Sequence, residues 1–184
     1  MIYVGYPCIG KSSIAGHRMF LGTMWDIIDL ESSVFNDGSE NWTTIYVKVA
    51  DYFSKQGYLV FISSHKQVRD ELKKNNIEYT CIFPSLGSKE RWAGRVFNRY
   101  LKDPTDKNKH ALERVVTHYE EDIEDLLNEP NKIVIYMEKF GLFKEFDLVD
   151  YMEHPIKDPD HRDFMNDLLD EPEPLEKTNR SEEH

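Results

Sequence analysis

The chain has 184 residues and a net charge of −11 at pH 7, from 34 acidic and 23 basic side chains. At 40% hydrophobic content it has the length and the apolar residues for the core of one α/β domain. Two cysteines, Cys8 and Cys81, do not make a disulfide framework. No apolar run approaches a membrane span and no signal-peptide pattern opens the chain, so a reduced cytoplasmic setting is expected.

In chain order, the apolar run 1–4 reads as the first strand. It leads into Gly5-Tyr6-Pro7-Cys8-Ile9-Gly10-Lys11-Ser12, which matches G-x-x-x-x-G-K-[ST], the Walker A phosphate loop. The glycines let backbone N–H groups turn toward phosphates. Lys11 reaches the β- and γ-phosphates, and the Ser12 hydroxyl ligates Mg²⁺. Gly5, Tyr6, Pro7, Cys8, Ile9, Gly10, Lys11, Ser12 and Ser13 are therefore the expected contacts to ATP. Residues 12–21 read as a helix whose N-terminal dipole end lies under the phosphates.

Residues 24–30 read as the second strand, running into Asp29-Leu30-Glu31. A helix is expected over 42–56, with Ile45, Val49, Tyr52 and Phe53 as its apolar stripe and Gly57 as its C-terminal cap. The continuous apolar run 58–62 suits a strand buried on both faces. A short helix over 68–75, a strand over 79–83 stopped by Pro84, helices over 89–101 and 111–127, and a strand over 132–137 follow. Residues 158–184 hold 10 acidic and 3 basic side chains, which leaves the body only mildly acidic. This acidic tail is expected to be disordered from about 171.

Strands alternating with helices predict an α/β fold, a parallel five-stranded sheet with helices on both faces. Ligands of such a sheet bind at the carboxyl ends of the strands. The phosphate loop, the Asp29 segment and Ser63-Ser64-His65 should converge there. Asp29 lies 18 positions after Lys11, room for a helix out and a strand back. Its carboxylate can orient Mg²⁺ or take a proton from an attacking hydroxyl. Glu31 lies two residues on. The third strand ends in Ser-Ser-His rather than the usual Walker B acid, which argues against a motor ATPase or GTPase. Ser64 is a candidate helix cap or acceptor contact, and His65 and Arg69 are candidate acceptor contacts. Arg91, Arg95 and Arg99, spaced by four, form one stripe beside Trp92, Val96 and Tyr100, fit to clamp a transferring phosphoryl group. No histidine spacing suggests a structural zinc site.

On Gly5–Ser12, on Ile28-Asp29-Leu30-Glu31 and on the arginine helix, the chain resembles the small P-loop kinases. These are the nucleoside and nucleotide kinases, including phage-type ones, with shikimate and polynucleotide kinases as relatives. The resemblance implies a three-layer P-loop NTPase fold over 1–157, Mg-ATP as donor and a mobile helical lid at about 86–110. It implies that Lys11 and Ser12 handle the donor phosphates, that Asp29 acts near the acceptor, and that Arg91, Arg95 or Arg99 act from the lid. The leading expectation is transfer of the ATP γ-phosphate to a nucleotide, a nucleoside monophosphate or deoxynucleotide. The alternatives are a kinase acting on a nucleic-acid hydroxyl, including a modified DNA base, and a non-catalytic nucleotide-binding regulator. The expected state is a monomer or homodimer with no membrane partner.

Overall fold

Strand β1 (Ile2–Gly5) is buried at every position, inward and outward side chains alike. A strand hidden on both faces sits in the middle of a covered sheet. The structure, a computed structural model, describes residues 1–15, 19–20, 23–140 and 146–156. Its main sheet has five strands in the order β4 (Ile27–Asp29), β5 (Leu59–Ser63), β1, β6 (Thr80–Pro84) and β7 (Lys132–Ile135). Every neighbouring pair is parallel, with Val4 opposite Ile62 on one side and Cys81 on the other. The chain leaves β1 for one edge, returns to β5, then crosses to β6 and β7. That reversal around β1 opens a crevice at the carboxyl ends of the strands. This is the α/β architecture expected from the sequence, consistent with a P-loop NTPase fold.

Helix α3 (Trp42–Lys55) packs on β5 and β1, and α6 (Asp106–Leu127) packs on β6. Helix α5 (Lys89–Lys102) lies against α6, and α4 (Lys66–Lys74) against α3. The core runs from Phe61 and Ile62 through Val4 to Ile82 and Phe83, closed by Tyr46, Trp92 and Tyr119.

Three expectations change. The first helix ends early: α1 covers Lys11–Ile14, and Met19–Phe20 (β2) pairs antiparallel with Thr23–Met24 (β3). Residues 16–18 and 21 of the expected helix lie outside the described residues. The expected strand 24–30 is divided between β3 and β4. Second, α3 buries Trp42, Tyr46, Val47 and Ala50, while Ile45 and Tyr52 are exposed. The buried stripe is rotated by one residue, about 100° around the helix. Tyr46 decides the orientation. Its hydroxyl donates to the Leu30 carbonyl (2.5 Å) and accepts from the Ser63 amide (3.0 Å), tying the ends of β4 and β5 together. Third, α6 begins five residues earlier than expected, at Asp106, where the Thr105 side chain accepts from the Asn108 amide. Shorter helices are α2 (Ser32–Phe35) and α7 (Leu148–Glu153), with 3-10 turns at Leu86–Ser88 and Met137–Lys139. Among the described residues no helix is long and apolar enough to cross a membrane. The expected tail at 158–184 lies outside the described residues.

Candidate phosphate-binding site

The loop between β1 and α1 is built around two glycines. A Cβ on Gly5 would lie 2.3 Å from Ile9 Cδ1 and 3.0 Å from Lys11 Cδ, so only glycine leaves room for the loop to fold back. Gly10 has φ 100°, in the left-handed region, and is the N-cap of α1. Cys8 also has a positive φ of 68°. The Ser13 and Ile14 amides bond the Gly10 carbonyl, starting the helix directly behind Lys11.

The loop floors a cleft of about 1090 Å³. Its walls bring together Gly5, Pro7 to Ser13, Asp29, Glu31, Ser64, His65, Arg91, Arg95 and Arg99. Two candidate residues stand apart from this wall. The Tyr6 side chain is buried in the core, its ring edge-on to Tyr119 at 6.0 Å. Arg69 is buried behind the sheet, bonded to Asp125, to Glu129 Oε1 (2.5 Å) and to the Ser64 carbonyl (3.2 Å). Its guanidinium is committed to those partners. The Ser64 hydroxyl caps no helix, because α4 starts at Lys66 with His65 as its N-cap.

Ser12 Oγ donates to Asp29 Oδ2 at 3.2 Å, joining the phosphate loop to the end of β4. Asp29 Oδ1 is buried and has no hydrogen-bond partner among the described residues. An orphaned carboxylate oxygen beside a hydroxyl is what a metal ion or an acceptor proton would complete. Glu31 pairs with Lys107 across the cleft mouth. Hydrogen bonding to Lys107 holds the Glu31 carboxyl below its usual range. Burial lowers the Lys11 ammonium; Asp29 opposes this, and Lys107 and Arg99 add to the fall. Removal from bulk water, then the charges of Arg114 and Lys11, hold the His65 imidazole below its ordinary value, so it is neutral at pH 7.

Helix α5 lies directly on the loop. The Trp92 indole donates to the Pro7 carbonyl (3.0 Å) and Arg95 Nε to the Cys8 carbonyl (2.8 Å). Arg99 Nη1 reaches Cys8 Sγ at 3.4 Å. The Arg95 guanidinium also lies over the Phe146 ring, 5.1 Å from its centroid. Arg91 donates to the Met137 (2.5 Å) and Phe140 (2.9 Å) carbonyls, bracing the segment after β7. The expected lid stripe therefore also holds the loop in shape.

The N-terminal half of α6 adds Lys107, Asn108, His110 and Arg114 to the cleft. Sequence reasoning missed Lys107, Asn108 and His110 because it began the helix at 111, and Arg114 because nothing in the local pattern of 111–127 turned that part of the helix toward the cleft. The signal was present in Thr105, a helix-capping residue, followed by a cleft-facing stripe at 107, 110, 111 and 114. Cations outnumber carboxylates along this wall, and a cleft that concentrates positive charge beside an open loop of backbone amides attracts phosphates.

No family model and no curated protein matches the chain. Among solved structures, the tunicamycin resistance protein of Deinococcus radiodurans is similar over 76% of this chain and 87% of that chain, at 13% identity and a TM-score of 0.43.

Proposed function

We propose that the chain is an ATP-dependent phosphotransferase whose acceptor is a nucleotide, a nucleoside monophosphate or deoxynucleotide. The observation that carries this reading is the Ser12–Asp29 bond beside a loop packed so tightly that a Cβ on Gly5 would meet Ile9 Cδ1 at 2.3 Å. Mg-ATP, when bound, would supply the γ-phosphoryl group and a divalent charge to neutralise it. Lys11 and the backbone amides of Cys8 to Ser13 would hold the phosphates, and Ser12 with Asp29 would hold the metal. Arg95 and Arg99 on α5 lie against the loop beside Lys11 and would balance charge on the phosphates. Arg91 joins them from the same helix.

In this reading Asp29 Oδ1 would complete the metal's ligand set, and neutral His65 and Glu31 would orient the acceptor. The first turns of α5 are pinned to the loop by Trp92 and Arg95, so the moving part of the lid in this reading is the α5–α6 turn. The orphaned Asp29 Oδ1 also favours a second reading, a hydroxyl acceptor on nucleic acid, since a hydroxyl must shed a proton where an ionised phosphate need not.

Two variants test the chemistry. Lys11→Ala should abolish transfer. Asp29→Asn should slow it by about 10²–10⁴-fold while ATP affinity, measured by calorimetry, stays nearly intact. Full turnover in Asp29→Asn would remove the carboxylate from the mechanism. ATP binding without transfer by the native chain to any acceptor would favour a nucleotide-binding regulator.

A further inference from the structure

Helix α6 is bent at His118, whose φ −127° and ψ 16° are not helical. No proline lies in α6. The cause is one residue earlier, where the Thr117 hydroxyl donates to the Glu113 carbonyl at 2.7 Å, a back-bond that bends helices. The bend joins two side chains that stand about 12 Å apart along a straight helix. Arg114 Nε meets Asp122 Oδ2 at 2.8 Å and Nη2 meets Oδ1 at 2.5 Å, a two-pronged pair across the kink. Asp122 is largely buried, whereas Arg114 is half-exposed and lines the phosphate cleft. Arg114 and Lys11 both act on His65, so the two cations share the same part of the cleft.

Asp122 has a second claimant. Tyr6, the second residue of the phosphate loop, is 1% exposed, and its hydroxyl has no hydrogen-bond partner among the described residues. Burial first, then the Asp122 charge and hydrogen bonding toward that carboxylate, raise its pKa while Arg114 opposes, so the phenol faces Asp122 just short of a full hydrogen bond. A buried hydroxyl left unpaired is unfavourable. The carboxylate next to it is occupied by Arg114.

We propose that Arg114 is a phosphate-binding arginine stored on Asp122, and that a phosphate-bearing ligand draws it into the cleft while the Tyr6 hydroxyl takes its place on Asp122. The exchange replaces the ion pair on Asp122 with a hydrogen bond from the phenol, a cost that the new Arg114–phosphate pair offsets. It gives the orphaned phenol a partner and links the shape of the phosphate loop to occupancy of the cleft. The proposal rests on the phosphate-binding reading of that cleft.

The test is affinity, with Mg-ATP and inorganic triphosphate as probes in calorimetry on the full chain. Arg114→Gln should weaken both by about tenfold, the loss of one charged hydrogen-bonding contact. Asp122→Asn should tighten both by about threefold or more, because the arginine is no longer held back. Opposite signs are the mark of a latch; a static ion pair makes both variants weaker. Should Asp122→Asn not fold, Tyr6→Phe carries the test. It should weaken binding with little change in the melting temperature, since the hydroxyl makes no full hydrogen bond in the empty protein. Equal weakening in Arg114→Gln and Asp122→Asn, or unchanged affinity in Arg114→Gln or Tyr6→Phe, overturns the latch and leaves the phosphotransferase reading standing. A native chain that binds neither probe overturns both. Opposite signs without transfer to any acceptor would keep the latch and remove the enzyme.

Discussion

Gly5 carries the tightest steric constraint in the phosphate loop. A Cβ there would overlap Ile9 Cδ1 at 2.3 Å, and the Ile9 side chain, fully buried, would have to shift to admit it. Gly5→Ala should cost about 1–3 kcal/mol in urea unfolding, as overpacking does, and should sharply weaken ATP binding. Adding Ile9→Ala removes the clashing atoms and should restore part of the affinity; no recovery would mean that Gly5 acts through backbone conformation instead. The tight β1–α1 turn was legible in the sequence because the Gly5–Ser12 motif puts glycines at the two positions where the turn requires them. The Ser12–Asp29 pair was legible through the interval from Lys11 to Asp29. Arg69 was not. Whether an arginine faces a cleft or a buried carboxylate depends on Glu129, 60 positions away and invisible to local pattern.

That ion cluster sets the prediction at the scale of elements. Glu129 on the turn after α6 bonds Arg69 and Lys73 of α4 and the Tyr79 hydroxyl, and it is buried. Burial works to raise its carboxyl pKa, but the bonds from Tyr79, Lys73 and Arg69 outweigh that and hold it below the ordinary value of 4.5. Glu129→Gln leaves the Arg69 charge short of a partner and should cost about 3–5 kcal/mol near neutral pH. A depressed folded pKa contributes its stability fully above the unfolded value and loses it as pH falls through the folded one. The gap between native and Glu129→Gln stability should therefore narrow below about pH 4.5 in urea titrations at several pH values. A gap independent of pH would assign the loss to packing. Helix patterns were less legible than the ion pair's elements. The stripe of α3 was misplaced because Tyr46 is held by hydrogen bonds to two strand ends, a tertiary preference that hydrophobic spacing does not carry. The start of α6 was missed because its first turn is polar and faces the cleft rather than the core.

At the scale of the molecule, the parallel order was readable because continuous apolar strands alternate with helices, and this forces both sheet faces to be covered. The chain carries a net charge of −11, yet the cleft at the strand ends gathers Lys11, Arg95, Arg99, Lys107 and Arg114. A basic crevice in an acidic chain concentrates small anions at that crevice. This distribution was only half visible in the sequence, where the α5 arginines stood out and the α6 cations did not. It suits a phosphorylated donor and acceptor meeting over the phosphate loop.

The most direct measurement is ADP release from Mg-ATP against a panel of nucleosides, nucleoside monophosphates, deoxynucleotides and DNA, with Lys11→Ala as the blank. The expected result is a rise in turnover with one or more nucleotides that Lys11→Ala abolishes. A rise only with DNA would replace the nucleotide acceptor with a nucleic-acid hydroxyl, and no acceptor-stimulated release anywhere in the panel would contradict the phosphotransferase account.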